Sequence, residues 1–137
     1  MEQIQKVAFI TGGSKGIGLG VAQALVNEGI KVAVTSRSQA AADAAAQQLN
    51  QVSPDAAIGI ESDVRDYASL QQAVDTVVAK WGRIDYFIAN AGVGHFAPVQ
   101  ELSIEKWNET IEINLNGVFY SLKSSFEALK ASQGYFI

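Results

Sequence analysis

A glycine-rich turn near the N-terminus constrains the fold more than any other stretch of this chain. An apolar run from Val7 to Ile10 leads into the turn, and glycines follow at positions 12, 13, 16, 18 and 20. Beyond the turn, apolar residues recur every three or four positions and predict a helix: Ile17, Val21, Ala22, Leu25 and Val26. A strand, a glycine turn and a helix in this order are typical of a nucleotide-binding unit, and a turn without a ligand is the alternative.

The binding of a dinucleotide would explain why this turn is rich in glycine. A pyrophosphate binds well at a helix N-terminus, because the backbone N–H groups there are free and the helix dipole favours an anion. A Cβ atom at the point of closest approach would hold the phosphate away, and a tight turn can require a positive φ. The sequence does not tell which glycine serves which purpose.

The spacing of the glycines distinguishes between nucleotide-binding families. Gly16, Gly18 and Gly20 miss the G-x-G-x-x-G spacing by one position, and no Gly-Lys-Ser/Thr follows as in a Walker loop. The spacing that fits is T-G-x-x-x-G-x-G, from Thr11 to Gly18. This motif resembles that of the short-chain dehydrogenase/reductase family. The resemblance implies a Rossmann-type doubly wound parallel sheet whose turn binds a dinucleotide through Thr11, Gly12, Ser14, Lys15, Gly16, Ile17 and Gly18.

The composition narrows the class of protein. Of the 137 residues 48% are apolar and 18% charged, which is typical of one globular domain. The net charge is −4 and the ten Lys and Arg residues are scattered, so no nucleic-acid surface is predicted. Cysteine is absent and His95 is the only histidine, which argues against a metal site and thiol chemistry. No apolar run has membrane-spanning length and no signal peptide is recognisable, so we expect a cytoplasmic protein.

Strand and helix patterns alternate along the whole chain, which predicts a parallel α/β sheet in a single domain over residues 1–137. After the first unit we expect strands at 31–35, 57–61 and 84–89, helices at 40–50 and 66–81, and a long helix capped by Ser103. The expected strand order is 3-2-1-4, and residues 134–137 enter a fifth strand. Because a domain seldom ends within a buried strand, we expect this chain to be the N-terminal part of a longer protein.

The long fourth helix has an unusually apolar face. Its apolar residues are Trp107, Ile111, Leu115, Val118, Leu122, Phe126 and Leu129. Such a face ordinarily belongs to the core, but a helix of this length can also pack against a second subunit. We therefore expect a homo-oligomer, a dimer or a tetramer, for the intact protein.

The residues that follow the second strand bear on the choice of cofactor. NAD-binding folds place an acidic residue here for the ribose 2′-hydroxyl, whereas an arginine suits a 2′-phosphate. This chain has Ser36 at the acidic position and Arg37 next to it, and Lys15 lies in the glycine turn. Two cations without a carboxylate favour NADP(H) over NAD(H). The alternative is that both cations are solvated surface groups.

The family resemblance assigns roles to four further segments. It implies that Asp63 and Val64 border the adenine ring, although a turn or helix-cap aspartate is the alternative. Ala89 to Gly92 resemble the family's N-N-A-G, with Ala89 departing from the pattern, and Asn90, Ala91 and Gly92 are implied to support the sheet and approach the ribose. The resemblance also makes Asn114 the asparagine of a catalytic tetrad, on a helix that is distorted around it. Asn116 is interpreted as a bystander.

The other three tetrad residues are missing from this sequence. The family places a serine after strand five, followed by a tyrosine and a lysine spaced Y-x-x-x-K, whereas Tyr120 and Lys123 have the wrong spacing and lie on the wrong helix. The sequence therefore predicts an NADP-dependent oxidoreductase for a carbonyl or alcohol substrate, of which the 137 residues alone bind cofactor without turnover. The alternative is a dinucleotide-binding module without chemistry. No Ser-His-Asp or Cys-His set supports hydrolysis, and His95 is interpreted as a solvated or capping residue.

Overall fold

A computed structural model describes residues 3–137. Within these residues there are five strands and five helices, and a short π-helical segment joins the last two helices. In chain order the elements are β1 Val7–Ile10, α1 Gly16–Asn27, β2 Lys31–Ser36, α2 Gln39–Val52, β3 Ala57–Glu61, α3 Tyr67–Trp81, β4 Tyr86–Ile88, α4 Ile104–Ile111, the π-helical segment Glu112–Asn116, α5 Gly117–Ser132 and β5 Tyr135–Phe136.

All the strands run parallel in one sheet with the order β3-β2-β1-β4-β5, which confirms the Rossmann-type prediction. The central strand β1 is buried along its whole length, because helices cover both faces of the sheet. Ala8 and Ile10 pack with α1 and α2 on one face, whereas Val7 and Phe9 pack with α3 and α5 on the other. The rings of Phe9 and Phe87 stack on this second face, 4.7 Å between centroids.

The ends of the helices follow the local sequence signals. The side chains of Ser38, Asp66 and Ser103 accept hydrogen bonds from N–H groups in the first turns of α2, α3 and α4. Gly29 and Gly82, which follow α1 and α3, have φ of +76° and +79°, a conformation that favours glycine. These signals explain why the predicted elements lie within a few residues of their observed bounds.

The long fourth helix is distorted around Asn114, as the family resemblance implied, and most of its apolar face is exposed. The π-helical segment interrupts it at Glu112–Asn116 and shifts the register of the residues that follow. Assigning the apolar stripe to the core is therefore mostly wrong within this chain: Leu129 is buried, but Leu115, Leu122 and Phe126 are exposed, and so is Trp107, which precedes the π-helical segment. Strand β4 is also shorter than predicted, since Ile84 and Ala89 lie outside the ladder.

No helix within residues 3–137 is both long and apolar enough to cross a lipid bilayer.

Candidate functional site

The carboxyl ends of β1 to β4 meet at one edge of the sheet, and a cleft of about 420 Å³ opens there. A site at this edge is typical of open α/β sheets, where ligands bind outside the carboxyl ends of the strands. The cleft is lined by every predicted site residue except Thr11, Gly18 and Asn114. The topology therefore brings together residues from five separate segments of the sequence.

The glycine turn between β1 and α1 shows which glycines the backbone requires. Gly12 and Gly16 have φ of +64° and +57°, a region that side chains other than glycine rarely adopt. Gly18 is required for a different reason, because a Cβ atom on it would lie 2.6 Å from the side-chain nitrogen of Asn90 and would clash with the carbonyl oxygen of Gly12. Gly20 has nothing within 4 Å of such an atom.

The N-terminus of α1 faces the cleft without a side-chain cap. Lys15 occupies the N-cap position in an extended conformation, and its side chain makes no capping hydrogen bond. Ser14, Lys15, Gly16 and Ile17 line the cleft around this end. Because the first-turn N–H groups have no side-chain partner and lie at the positive end of the helix dipole, this end of the cleft suits an anion such as a pyrophosphate.

Asn90 ties the glycine turn to the loop after β4. Its Nδ2 donates to the carbonyl oxygens of Thr11 and Gly12, each at 3.2 Å. The buried Thr11 lies behind the cleft, where its Oγ1 accepts from the N–H of Ala91 at 3.1 Å. These hydrogen bonds hold the glycine turn against Asn90 and Ala91, which both line the cleft.

The end of β2 contributes the positive charge of the site. Ser36 and Arg37 line the cleft together with Thr35, and Lys15 lines it as well. Both cations are exposed, and within residues 3–137 neither Lys15 nor Arg37 forms an ion pair. Their charges are therefore available to an anionic ligand.

The end of β3 carries a carboxylate that already has a partner. Arg65 contacts Asp63 at two points, with Nη2 at 2.7 Å from Oδ2 and Nε at 3.1 Å from Oδ1. These hydrogen bonds from the Arg65 side chain outweigh burial and lower the pKa of Asp63 below its ordinary value of 3.8. Val64 is buried and packs against Ile113 on the π-helical segment.

Asn114 lies on the π-helical segment and holds the loop that follows the Asn-Ala-Gly motif. Its Oδ1 accepts from the N–H of Val93 at 2.9 Å, and its Nδ2 donates to the Val93 carbonyl at 2.7 Å. A Cβ atom on Gly92 would come within 3.3 Å of Asn114 Oδ1, so the loop and the asparagine are closely packed. Asn114 is thus adjacent to the cleft through Val93 rather than part of its lining.

Sequence reasoning missed four residues of the cleft: Thr35, Ser62, Val93 and Ile113. Each is a sequence neighbour of a predicted site residue, and that adjacency was the available signal.

The residues rejected as catalytic lie outside the lining of the cleft. Tyr120 packs edge-to-face with Tyr67, and Lys123 lies over the same ring, 5.4 Å from its centroid. His95 has its Nε2 at 3.3 Å from Glu109 Oε2 without a hydrogen bond of good geometry.

A larger cavity of about 830 Å³ lies between α3 and α5 near their C-terminal ends. None of the predicted site residues lines this groove, and it is remote from the carboxyl edge of the sheet. We favour the smaller cleft as the functional site, because it combines the uncapped helix end, the unpaired cations and the glycine turn. Within residues 3–137 no three His, Cys, Asp or Glu side chains are placed to hold a metal ion.

Almost the whole chain is similar to one known protein family. Residues 6–137 match the family model described as short chain dehydrogenase. The chain is 42% identical over 114 residues to D-threitol dehydrogenase of Mycolicibacterium smegmatis, a match that covers 83% of this chain and 44% of that enzyme. The chain spans about half the length of the curated relatives it matches.

Solved structures are similar in fold as well as in sequence. The alcohol dehydrogenase of the archaeon Thermococcus sibiricus, complexed with 5-hydroxy-NADP, has a TM-score of 0.91 and 36% identity over 96% of this chain and 56% of that one. The 3-ketoacyl-(acyl-carrier-protein) reductase of Brucella melitensis, complexed with NADH, has a TM-score of 0.86 and 28% identity over 94% of this chain and 52% of that one.

Proposed function

The chain belongs to the short-chain dehydrogenase family, and on that premise we propose that it supplies the cofactor site of an NADP-dependent oxidoreductase acting on a carbonyl or alcohol substrate. The observation that carries the proposal is the cleft at the carboxyl edge of the sheet, where a glycine turn and an uncapped helix end face unpaired cations. The two similar structures, one complexed with 5-hydroxy-NADP and the other with NADH, support a nicotinamide dinucleotide as the ligand.

The residues of the cleft fit the parts of such a cofactor. The free N–H groups at the start of α1 bind the pyrophosphate, and Gly16 leaves room for it because nothing lies within 4 Å of its Cβ position. Arg37 and Lys15 attract the 2′-phosphate, while Asp63 and Val64 border the adenine. When bound, the nicotinamide supplies or accepts the hydride.

Asn90 and Asn114 hold two backbone segments of the site in place. Asn90 holds the glycine turn, and Asn114 holds the loop at Val93. We assign Asn114 to the proton relay of the family tetrad, with its side chain kept in place by the two hydrogen bonds to the Val93 backbone. No Tyr-x-x-x-Lys occurs within the 137 residues, so the proposed proton donor and its serine partner belong to further residues of a longer protein.

The experiment that tests this function uses the longer protein together with the 137-residue chain. We expect the chain to bind NADPH without oxidising it, and the longer protein to oxidise NADPH when a suitable ketone or aldehyde is present. A screen of carbonyl compounds, followed by the loss of NADPH absorbance, measures this. A longer protein that lacks Ser and Tyr-x-x-x-Lys and binds NADPH without any turnover would instead be a dinucleotide-binding module.

Removal of the Arg37 charge is expected to weaken NADPH binding selectively. Arg37→Gln should raise the NADPH dissociation constant roughly ten- to hundredfold, because a charge-assisted contact with a phosphate contributes about 1.5–3 kcal/mol. The NADH dissociation constant should stay within about twofold, since NADH lacks the 2′-phosphate. Calorimetric titration of both cofactors measures the difference, and equal affinities of the wild-type chain for NADPH and NADH would contradict the cofactor assignment.

The exposed apolar face of α4 and α5 supports the expected homo-oligomer. Trp107, Leu115, Phe119 and Phe126 are each more than half exposed, which is unusual for such large apolar side chains grouped on consecutive helices. We infer that a second copy covers this face in the intact protein. Sedimentation equilibrium of the longer protein tests this, and a monomer over the whole concentration range would contradict it.

A further inference from the structure

A negative charge lies close to the proposed 2′-phosphate site. Asp63 lines the same cleft as Arg37 and Lys15, and it is close enough to Arg37 for that guanidinium to help lower the pKa of Asp63. The carboxylate is therefore ionised at neutral pH. An uncompensated negative charge at this point would repel a 2′-phosphate and offset part of the attraction of the two cations.

Arg65 compensates this charge. Besides the two-point contact of its guanidinium, its backbone N–H donates to Asp63 Oδ1 at 3.0 Å, so one residue occupies most of the acceptor positions of the carboxylate. The turn that carries the pair is itself fixed, because the N–H of Asp63 donates to Ser69 Oγ and the N–H of Asp66 donates to the Asp63 carbonyl. Arg65 does not line the cleft.

We propose that Arg65 is a positioning residue for cofactor choice: it neutralises and orients Asp63, so that the unpaired charges of Arg37 and Lys15 act on the 2′-phosphate. This inference rests on the proposed function, since it concerns NADP(H) in this cleft. Arg65 acts through Asp63 and needs no contact with the phosphate. The same contact holds the carboxylate oxygens at the adenine side of the cleft in one orientation.

The ratio of the NADPH and NADH dissociation constants measures this effect. The two cofactors differ only in the 2′-phosphate, so a change at the adenine side alters both constants equally and leaves their ratio unchanged. We expect Arg65→Gln to raise the NADPH dissociation constant about tenfold at low salt, because the uncompensated charge of Asp63 then repels the phosphate. The NADH dissociation constant should change by less than about twofold. Arg65→Lys keeps the charge and should retain most of the preference.

A second substitution, at Asp63, shows whether Arg65 compensates the Asp63 charge or contacts the phosphate directly. In the Arg65→Gln/Asp63→Asn double variant the repelling charge is gone, and we expect the ratio to return to within about twofold of the wild-type value. If Arg65 bound the phosphate itself, the double variant would remain as weak as Arg65→Gln, and this result would overturn the inference. Lys80→Gln is the matched control, because it removes one positive charge from an exposed position on α3 outside the cleft.

The wild-type chain separates this inference from the proposed function. A wild-type chain that binds neither cofactor, or both equally, overturns the cofactor assignment and the inference with it. A wild-type chain that prefers NADPH, with an unchanged ratio in Arg65→Gln, overturns the role of Arg65 alone. Because Arg65 is exposed, thermal unfolding should show that all the variants are folded.

Discussion

Replacing Gly18 by alanine is expected to weaken NADPH binding by roughly 100-fold, the equivalent of two lost charge-assisted hydrogen bonds of about 1.5 kcal/mol each. The added methyl group has no space, since it would lie 2.6 Å from Asn90 Nδ2 and 3.0 Å from the Cα of Gly13. Either the glycine turn or Asn90 must move. Both movements break the hydrogen bonds from Asn90 to Thr11 and Gly12, which hold the turn against the cleft.

The matched control for this variant is Gly20→Ala in the same helix. Nothing lies within 4 Å of the Cβ position of Gly20, so the substitution should leave the NADPH dissociation constant unchanged. It should also stabilise the chain by about 0.5–1 kcal/mol, because alanine is the better helix former. Calorimetric titration and urea unfolding measure both quantities. Equal NADPH affinity of the two variants would show that the packing of the turn does not control the site.

These two glycines illustrate how far the sequence predicts the site. Their spacing predicted a turn that binds a dinucleotide, and the parallel topology then brought the predicted residues to one edge of the sheet. The family spacing assigned Gly18 and not Gly20 to the site, but no physical reason for it could be read from the sequence, because the difference lies in the approach of Asn90 from the loop after β4. Local sequence patterns predict the conformation of a segment, whereas tertiary contacts decide which of several glycines in it cannot be replaced.

The same difference between local patterns and tertiary contacts explains the errors on the fourth helix and the contacts of the site that the sequence did not predict. Apolar spacing predicted one stripe along the helix, either in the core or against a second subunit, but the π-helical segment at Glu112–Asn116 changes the phase of the side chains, and Leu115 and Phe126 are exposed. Periodicity carries no signal for such an insertion, and only the family resemblance at Asn114 implied a distorted helix there. The pairing of Asn114 with Val93 depends on tertiary contacts. Arg65 and Asp63 are only two residues apart in the sequence, but the consequence of their contact depends on Arg37, which follows a different strand, β2.

A second large effect is expected at the opposite edge of the sheet, where the buried Asp85 accepts hydrogen bonds from three residues. Its carboxylate accepts from the Val7 N–H at 2.9 Å, from Arg83 Nη2 at 2.6 Å and from Lys6 Nζ at 3.2 Å. Asp85→Ala leaves the buried N–H without a partner and two cations without a counter-charge. We expect it to lower the free energy of unfolding by about 3 kcal/mol. Asp75→Asn, at an exposed position on α3, should change it by less than about 0.5 kcal/mol.

The pH dependence of this effect distinguishes a charge contribution from a loss of packing. Burial by itself raises the pKa of Asp85, but the hydrogen bonds from Arg83, the Val7 N–H and Lys6 outweigh it and hold the pKa below the ordinary value of 3.8. A carboxyl group whose pKa is lower in the folded state stabilises the fold above its unfolded pKa and loses this contribution as the pH falls through its folded pKa. The difference between the wild type and the isosteric variant Asp85→Asn should therefore be constant above about pH 5 and shrink in more acidic solution. Urea unfolding between pH 3 and pH 7 measures it, and a difference that stayed the same throughout would assign the loss to packing and hydrogen-bond geometry rather than to the charge.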